Sequence, residues 1–259
     1  MDREASGRVA FITGAGSPSG IGYACAATLG REGASLAITS TTDRIHERAA
    51  ELTALGYRAA GFVADLTDRA QVRTVVDTVT ETFGSIDIVV NNAGMVQVGS
   101  HDGDDRRFVT LDDASWDRDI DRNLTTAFNV TRAVLAGMVD RGWGRVVMVS
   151  SVTGPIASDP GAAAYAAAKA GMDGLMRALS VEVGPDGVTV NSVAPGWIAS
   201  GSQLPTEAEA GRHTPLRRSG TPAEVAEVVA FLAGERSRYV TGSVVVVDGG
   251  NTVQESKGP

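Results

Sequence analysis

The chain has 259 residues, of which 43% are hydrophobic and 21% charged, enough apolar material for a sizeable buried core. Its 23 basic and 31 acidic residues give a net charge of -8, which disfavours general electrostatic binding of nucleic acid or of anionic membranes. No run approaches the roughly 18 apolar residues of a spanning helix, and the N-terminus lacks the pattern of a secretion signal. A single cysteine, Cys25, and three scattered histidines predict neither a disulfide nor a metal site, so a cytoplasmic protein is expected.

Short runs rich in β-branched residues alternate with longer stretches whose apolar residues recur three and four positions apart. Alternation of this kind predicts a doubly wound α/β fold, in which helices cover both faces of one parallel sheet. The predicted strands are Arg8–Thr13, Ser35–Thr39, Ala59–Ala64, Ile86–Val90, Arg145–Val149, Val188–Val193 and Val244–Val247.

No linker or repeat divides the chain, so residues 1–259 are interpreted as one domain. Two long segments, 95–113 and 196–221, show no regular periodicity. Irregular segments of this length are usually functional, so both are predicted to border a substrate pocket.

A glycine-rich turn follows the first predicted strand and precedes a predicted helix. It contains Gly14, Gly16, Gly20 and Gly22. Glycines allow the backbone to approach a pyrophosphate, and a helix N-terminus offers free N–H groups and a partial positive charge. The turn therefore predicts a dinucleotide site, with a purely structural tight turn as the alternative.

Tyr165 and Lys169 lie four positions apart in an alanine-rich stretch with helical character. This spacing places both side chains on one helix face. A free tyrosine titrates near pH ~10, and an adjacent ammonium group stabilises the phenolate and lowers that pKa. The pair is therefore a candidate general acid/base, and a surface tyrosine stacked on a lysine stem is the alternative.

Further motifs follow in a characteristic order: Asn91-Asn92-Ala93-Gly94, Asn123-Leu124, Ser151, the Tyr-x-x-x-Lys pair and Pro195-Gly196. In this order they resemble the classical short-chain dehydrogenase/reductases over nearly the full chain, and particularly the 3-oxoacyl-acyl-carrier-protein reductases. The resemblance implies a Rossmann-type fold with a seven-stranded parallel sheet. It also implies reversible hydride transfer between a nicotinamide cofactor and a ketone or secondary alcohol.

Residue roles follow from the same resemblance. The implied catalytic residues are Asn123, Ser151, Tyr165 and Lys169, with Ser150 as the competing assignment for the serine. The implied cofactor contacts are Gly14, Ser17, Ser19, Gly20, Ile21, Gly22, Ser40, Thr41, Asp65, Leu66, Asn92, Ala93, Gly94, Tyr165, Lys169, Pro195, Gly196 and Ile198.

The glycine-rich turn departs from the family pattern, because five residues rather than three separate Gly14 from Gly20. The departure leaves open which of Gly16, Ser17 and Ser19 meets the phosphates. Enoyl reductases of related fold also lengthen this turn, but they place the active Tyr and Lys farther apart than here.

An acidic residue at the end of the second strand normally binds the ribose of NAD and repels the additional phosphate of NADP. Ser40 takes that position, with Thr41 beside it and Arg44 close by, so NADP(H) is predicted as the preferred cofactor and NAD(H) as the alternative. If the alignment of this segment with the family shifted by three residues, Asp43 would lie near the adenosine ribose and would oppose the preference for NADP(H).

The expected partners are a small carbonyl or alcohol substrate and further copies of the chain, as a tetramer or dimer, because Val247-Asp248-Gly249-Gly250 resembles a family segment often used in tetramers. Reductases that act on acyl carrier protein offer basic residues to its acidic surface, and this basic patch is weak or absent here. A carrier-bound 3-oxoacyl group is therefore only the alternative substrate. The alternative function is a nucleotide sensor or scaffold without turnover.

Overall fold

The predicted strands all form in the computed structural model, which describes residues 4–94 and 107–255. They pair in parallel in one sheet of seven strands with the order β3-β2-β1-β4-β5-β6-β7. Their bounds are β1 Val9–Ile12, β2 Ser35–Ser40, β3 Ala59–Val63, β4 Ile88–Asn91, β5 Gly144–Val149, β6 Val188–Pro195 and β7 Val244–Val247. The predicted doubly wound fold is confirmed.

Helices cover both faces of the sheet because the central strands are apolar on both sides. In β1, Ala10 and Ile12 join one core, while Val9 and Phe11 join the other. Helices α1 (Ile21–Arg31), α2 (Arg44–Ala54) and α8 (Pro222–Ala233) pack on the first face. Helices α3 (Arg69–Phe83), α5 (Thr126–Arg141) and α6 (Ala163–Val183) pack on the second.

The order of the strands reverses next to β1. The chain passes from β1 to β2 on one side and then returns to place β4 on the other. In a parallel sheet this reversal opens a crevice at the carboxyl ends of the strands, where ligands bind. The glycine-rich turn and the ends of β4, β5 and β6 all lie at that edge.

The prediction that residues 196–221 lack regular structure is wrong in part, because the segment contains helix α7 (Pro205–Arg212). Pro205 occupies its first turn, and the Glu207 carboxylate accepts a 2.9 Å hydrogen bond from the Leu204 N–H. A proline and a glutamate in these positions are helix-start signals. Only Gly211 is buried in this helix, so it lacks an apolar stripe.

In the other predicted irregular segment, 95–113, residues 95–106 lie outside the described residues. Its last part contains a 3₁₀ turn at Phe108–Thr110 and the first residue of α4 (Asp113–Ile120). Among the described residues, none of the helices combines the length and the apolarity that a membrane crossing requires.

Candidate active site

A cavity of about 500 Å³ lies at the carboxyl ends of the strands. This volume suits a small molecule or part of a cofactor. The predicted site residues that line it are Ile21, Asn92, Gly94, Ser151, Tyr165, Lys169, Pro195, Gly196 and Ile198. The remaining predicted residues lie outside this lining: Gly14, Ser17, Ser19, Gly20, Gly22, Ser40, Thr41, Asp65, Leu66, Ala93 and Asn123.

Tyr165 lies in the first turn of α6 and lines the cavity together with Ser151, which follows the end of β5. Burial raises the pKa of the Tyr165 hydroxyl, the polar side chain of Ser151 lowers it, and the Glu207 carboxylate raises it. The expectation of a lowered tyrosine pKa is therefore wrong for this arrangement, because desolvation exceeds the opposing effect.

Ser151 and Ser150 have different partners, which bears on the choice between them. The Ser150 hydroxyl lies 3.4 Å from the Val193 carbonyl oxygen of the neighbouring strand. The Ser151 hydroxyl instead accepts a 3.1 Å hydrogen bond from the Thr153 N–H and faces Tyr165. Ser151 is therefore the serine associated with the tyrosine.

Lys169 follows Tyr165 by one helical turn and is only 3% exposed. Its Nζ donates a 2.9 Å hydrogen bond to the Val149 carbonyl and lies 5.6 Å from the centroid of the Tyr165 ring. Burial lowers the pKa of the ammonium group to about 8, while the charge of Asp173 opposes this shift. The cation is thus held beside the tyrosine at neutral pH and lost as the pH rises through about 8.

Asp173 was missed by the sequence interpretation. It lies one further turn along α6, is 1% exposed, and neither carboxylate oxygen has a hydrogen-bond partner among the described residues. A buried acid without such partners is costly unless a nearby charge stabilises it. Lys169 supplies that charge, and the i, i+4 spacing from Lys169 was the available signal.

Asn123 lies in a π-helical turn, Asp121–Thr125, between α4 and α5. Its side-chain Nδ2 donates a 3.0 Å hydrogen bond to the Asp119 carbonyl, the acceptor that a regular α-helix would offer to the Asn123 backbone. A Cβ on Gly94 would meet the Asn123 side chain, so the π turn packs directly on the cavity-lining Gly94.

The predicted Asn91-Asn92-Ala93-Gly94 segment is tied to the end of β1. The Asn92 side chain donates to the carbonyls of Thr13 and Gly14, at 2.9 and 3.1 Å. The Thr13 hydroxyl accepts from the N–H groups of Asn92 and Ala93, both at 2.9 Å. These bonds join the glycine-rich turn to the β4 end and set the floor of the crevice.

Two glycines in the turn have no room for a side chain. Gly14 has φ +69°, and a Cβ there would lie 2.8 Å from the Ala93 Cα. A Cβ on Gly22 would lie 2.6 Å from Asn92 Nδ2 and 2.7 Å from the Gly14 carbonyl oxygen. The glycines therefore permit close packing of the turn, α1 and β4, as a Rossmann fold requires.

The start of α1 has the chemistry that a dinucleotide pyrophosphate requires. Its N-cap, Gly20, provides no side-chain cap, and the first turn contains no acidic residue. The first N–H groups of a helix lack intrahelical acceptors, and the helix dipole favours an anion there. Ser17 packs against Gly20, Gly16 faces Ser40 and Arg44, and the Ser19 hydroxyl faces Gly201.

At the end of β2, the guanidinium of Arg44 extends back over the glycine-rich turn. A Cβ on Gly16 would lie 2.9 Å from Arg44 Nε and 2.8 Å from the Ser40 Cβ. The Ser40 hydroxyl donates a 2.8 Å hydrogen bond to the Thr42 carbonyl, while Thr41 is exposed. The β2 end therefore places a cation and no carboxylate against Gly16.

The two predicted cofactor-contact residues after β3, Asp65 and Leu66, differ in environment. Asp65 is exposed, and its carboxylate accepts hydrogen bonds from the Thr67 N–H at 2.9 Å and the Thr67 hydroxyl at 2.7 Å. Leu66 is 5% exposed and belongs to the core under α3 and α5. The Leu66 side chain is therefore a packing group.

Comparisons with known proteins agree with this architecture. A family model described as Enoyl-(Acyl carrier protein) reductase matches residues 14–252. The chain is 40% identical over 263 residues to "Oxidoreductase UcpA" of Salmonella typhimurium, covering 97% of each chain. It is 40% identical over 250 residues to "3-oxoacyl-[acyl-carrier-protein] reductase FabG" of Pseudomonas aeruginosa, covering 94% of this chain and 97% of the relative.

Among solved structures, a 3-oxoacyl-[acyl-carrier protein] reductase with bound NAD from Brucella melitensis superposes with a TM-score of 0.88 and 36% identity. The match covers 96% of this chain and 92% of that structure. Members of the family use NAD or NADP, and the start of α1 fits such a cofactor. Together with the parallel sheet, these matches identify the chain as a classical member of the short-chain dehydrogenase/reductase family of oxidoreductases.

Proposed function

We propose that the chain interconverts a ketone and a secondary alcohol, with Tyr165 as the general acid/base. The observation that carries this proposal is the grouping of Tyr165, Ser151 and the buried Lys169 cation in the lining of one cavity. A bound nicotinamide dinucleotide would supply or accept the hydride. Gly14, Ser17 and the first turn of α1 would hold its phosphates, and Pro195 and Gly196 would border its nicotinamide.

Each side chain has a defined task in this mechanism. In the reductive direction, Tyr165 Oη donates its proton to the carbonyl oxygen, and in the oxidative direction it accepts the proton of the alcohol. The Ser151 hydroxyl donates a hydrogen bond to the same substrate oxygen, and the Lys169 cation stabilises the phenolate that remains. Asn123 keeps the π turn packed on Gly94.

A sensor or scaffold without turnover is less well supported, because it would not need a protonated lysine buried beside a tyrosine. Reduction of a carbon–carbon double bond is also disfavoured as the reaction, because Tyr165 and Lys169 lie one helical turn apart. A wider spacing is typical of the enoyl reductases that resemble this fold.

A small free substrate is better supported than a carrier-bound one. Arg145, which could have contributed to a basic docking patch, is 3% exposed and donates to the Gly144 carbonyl at 2.9 Å. Arg141 donates to the Ile86 carbonyl at 2.6 Å and lies 3.8 Å from Asp87. Arg145 is therefore used inside the fold, which leaves the exposed Arg141 and Arg177 as the remaining candidates of the three for an acidic carrier protein.

The test is a panel of ketones and secondary alcohols, assayed with NADPH, NADH and their oxidised forms. It includes a 3-oxoacyl group on acyl carrier protein and the same group as a free thioester analogue. We expect turnover of a free ketone. Much faster reduction of the carrier-bound group would contradict the substrate assignment, and no turnover of any carbonyl would contradict the activity.

We further propose that NADP(H) is the preferred cofactor. The Arg44 guanidinium near Ser40 and Gly16 provides a cation where the additional ribose phosphate would lie, and no carboxylate ends β2. We expect Ser40→Asp and Arg44→Gln each to lower the ratio of kcat/KM for NADPH to that for NADH by about ten- to hundredfold, as expected for losing a charge-assisted hydrogen bond. Steady-state kinetics with both cofactors measure this ratio.

Arg73→Gln on α3 is the matched control for the cofactor measurement, because Arg73 is also exposed but lies on another helix. Its cofactor ratio should equal that of the wild type. A wild-type preference for NADH, or an unchanged ratio in both Ser40→Asp and Arg44→Gln, would refute the assignment.

A homo-oligomer is also proposed. Strand β7 ends the sheet, so one of its edges has no neighbouring strand among the described residues, and Val246 is 39% exposed on it. Phe231 on α8 is 40% exposed, and Val253, just beyond β7, is 84% exposed. An open strand edge with apolar side chains favours association with another protein surface, here a second copy.

A further inference from the structure

The glycine-rich turn ends in a compact β-turn directly before α1. The Gly20 N–H donates a 3.1 Å hydrogen bond to the Ser17 carbonyl, which closes a β-turn over residues 17–20. Pro18 holds the second position of this turn, where the fixed φ of proline favours the conformation. Pro18 and Ser19 are exposed. They therefore form a defined projection at the start of α1 rather than part of the core.

A second exposed turn reaches this projection from the segment that follows β6. The Gln203 N–H donates a 3.0 Å hydrogen bond to the Ser200 carbonyl, so residues 200–203 also form a β-turn. The Gln203 side chain donates to the Ser219 hydroxyl at 2.8 Å, which fixes the end of this second turn. Gly201 lies at its exposed tip.

The two turns touch through Ser19 and Gly201. The Gly201 N–H donates a 3.4 Å hydrogen bond to the Ser19 carbonyl. A Cβ on Gly201 would collide with the Ser19 hydroxyl and would lie 3.5 Å from Ser17 Oγ. Gly201 does not have a positive φ, so its own backbone conformation does not require glycine. The absence of a side chain at residue 201 therefore serves the close approach of the two turns.

The Ser19–Gly201 contact joins two parts of the site that a dinucleotide would span. Ser19 immediately precedes Gly20, the N-cap of α1, and the first free N–H groups of this helix suit a pyrophosphate. On the other side of the contact, Ser200 and Ser202 flank Gly201 and line the cavity. The contact thus bridges the crevice between the start of α1 and the cavity wall.

We propose that the Ser19–Gly201 contact is a gate for nucleotide exchange, which closes the crevice across the pyrophosphate position and opens whenever a nicotinamide dinucleotide enters or leaves. The contact is made by protein groups alone, so it stabilises the closed crevice to the same extent with and without nucleotide. Breaking it should therefore accelerate association and dissociation by the same factor and leave the dissociation constant unchanged. This inference goes beyond the proposed activity, because it concerns nucleotide exchange whichever carbonyl is reduced.

Gly201→Val tests the gate, because the valine side chain would push the two turns apart without straining the backbone of residue 201. Stopped-flow fluorescence measures the association of NADPH and its displacement by excess oxidised nucleotide. We expect both rate constants to rise by about three- to tenfold, the range for losing one hydrogen bond, and the dissociation constant to stay within about twofold of the wild type. NADH should show the same acceleration, because it contains the same pyrophosphate.

Deletion of Pro18 and Ser19 tests the gate from the opposite side. It removes the projection, adds no atoms to the crevice and leaves three residues between Gly14 and Gly20. Both rate constants should rise in this variant as well. The matched control for the valine is Gly174→Val on α6, since Gly174 is exposed and a Cβ there meets nothing within 4 Å. Its nucleotide kinetics should equal those of the wild type, and thermal unfolding confirms that each variant is folded.

The rate constants and the dissociation constant together separate a gate from other roles of this contact. Faster dissociation with unchanged association and weaker binding would show that Ser19 or Gly201 binds the nucleotide directly, and would overturn the gate. Unchanged rate constants in both variants would also overturn it. If association slows in Gly201→Val because the valine obstructs the crevice, the deletion decides: equal acceleration of both rate constants supports the gate, and any other result overturns it.

Discussion

Tyr165→Phe is expected to lower kcat for ketone reduction by about two to four orders of magnitude, the range for removing a general acid. The substitution removes the only atom of Tyr165 that carries the transferable proton and leaves the ring in its place on α6. Tyr165 lines the cavity together with Ser151 and Lys169, so the loss of its hydroxyl acts on the reacting groups. Nucleotide binding should change little, because Gly14, Ser17 and the start of α1 are unaltered.

Steady-state kinetics measure the loss of turnover, and fluorescence titration with NADPH measures nucleotide binding. Tyr239→Phe is the matched control, since Tyr239 is fully exposed and lies outside the cavity lining. It makes the same chemical change and should keep wild-type kcat. Near-wild-type turnover by Tyr165→Phe would refute the proposed mechanism, whereas lost turnover with lost nucleotide affinity would indicate that the ring position had changed.

The central strands could be predicted from sequence because burial on both faces makes them short continuous apolar runs. Strand β5 illustrates this, since all of its residues are buried and the predicted start at Arg145 differs from the observed start by one residue. The motifs at the strand ends were predictable for a related reason. In a parallel sheet, the segments that follow successive strands meet at one edge, so Ser151, Pro195 and Gly94 come together although they are distant in sequence.

Helix α7 and helix α4 were not predicted because their residues lack an apolar stripe. Only Gly211 is buried in α7 and only Asp119 in α4. Apolar residues recur with helical spacing where a helix buries one face, so a helix that buries almost no side chains shows little of this pattern in its sequence. The residues that signal a helix start were present in both. Pro205 and Glu207 lie in the first turn of α7, and the Asp112 side chain accepts a hydrogen bond from the Ser115 N–H at the start of α4.

Features that depend on side-chain direction also required the structure. Arg44 begins α2 and is exposed, and the local path of the chain brings its guanidinium back over Gly16. Asp173 shares a helix face with Lys169, but its burial depends on neighbouring elements that pack on α6. The π turn at Asn123 has no sequence signature of its own and is set by how α4, α5 and α6 meet.

Lys169→Met is expected to lower kcat by about a hundredfold and to move the pH profile of alcohol oxidation to higher pH. Oxidation requires the phenolate form of Tyr165. Without the cation, the pKa of the tyrosine rises further, so the phenolate forms only at higher pH. Methionine retains most of the apolar stem of lysine, which limits the cavity that a smaller residue would leave.

Asp173→Asn tests whether the effect of Lys169 is electrostatic rather than a matter of packing. The charge of Asp173 raises the pKa of Lys169, which lies at about 8 in its presence. Asparagine has nearly the same shape but no charge, so the pKa of Lys169 should fall and its cation should be lost at lower pH. The tyrosine then loses support at neutral pH, and the oxidation profile should move in the same direction as in Lys169→Met, by a smaller amount.

Measurement of kcat/KM for alcohol oxidation across the pH range around 8 gives the profiles of the wild type and both variants. Thermal unfolding of each variant separates a change in folded fraction from a change in chemistry. An unchanged profile for Lys169→Met would contradict the role of its cation. A shift to lower pH for Asp173→Asn would show that Asp173 acts on Tyr165 directly, because removing a nearby negative charge lowers a tyrosine pKa, whereas removing the support of Lys169 raises it.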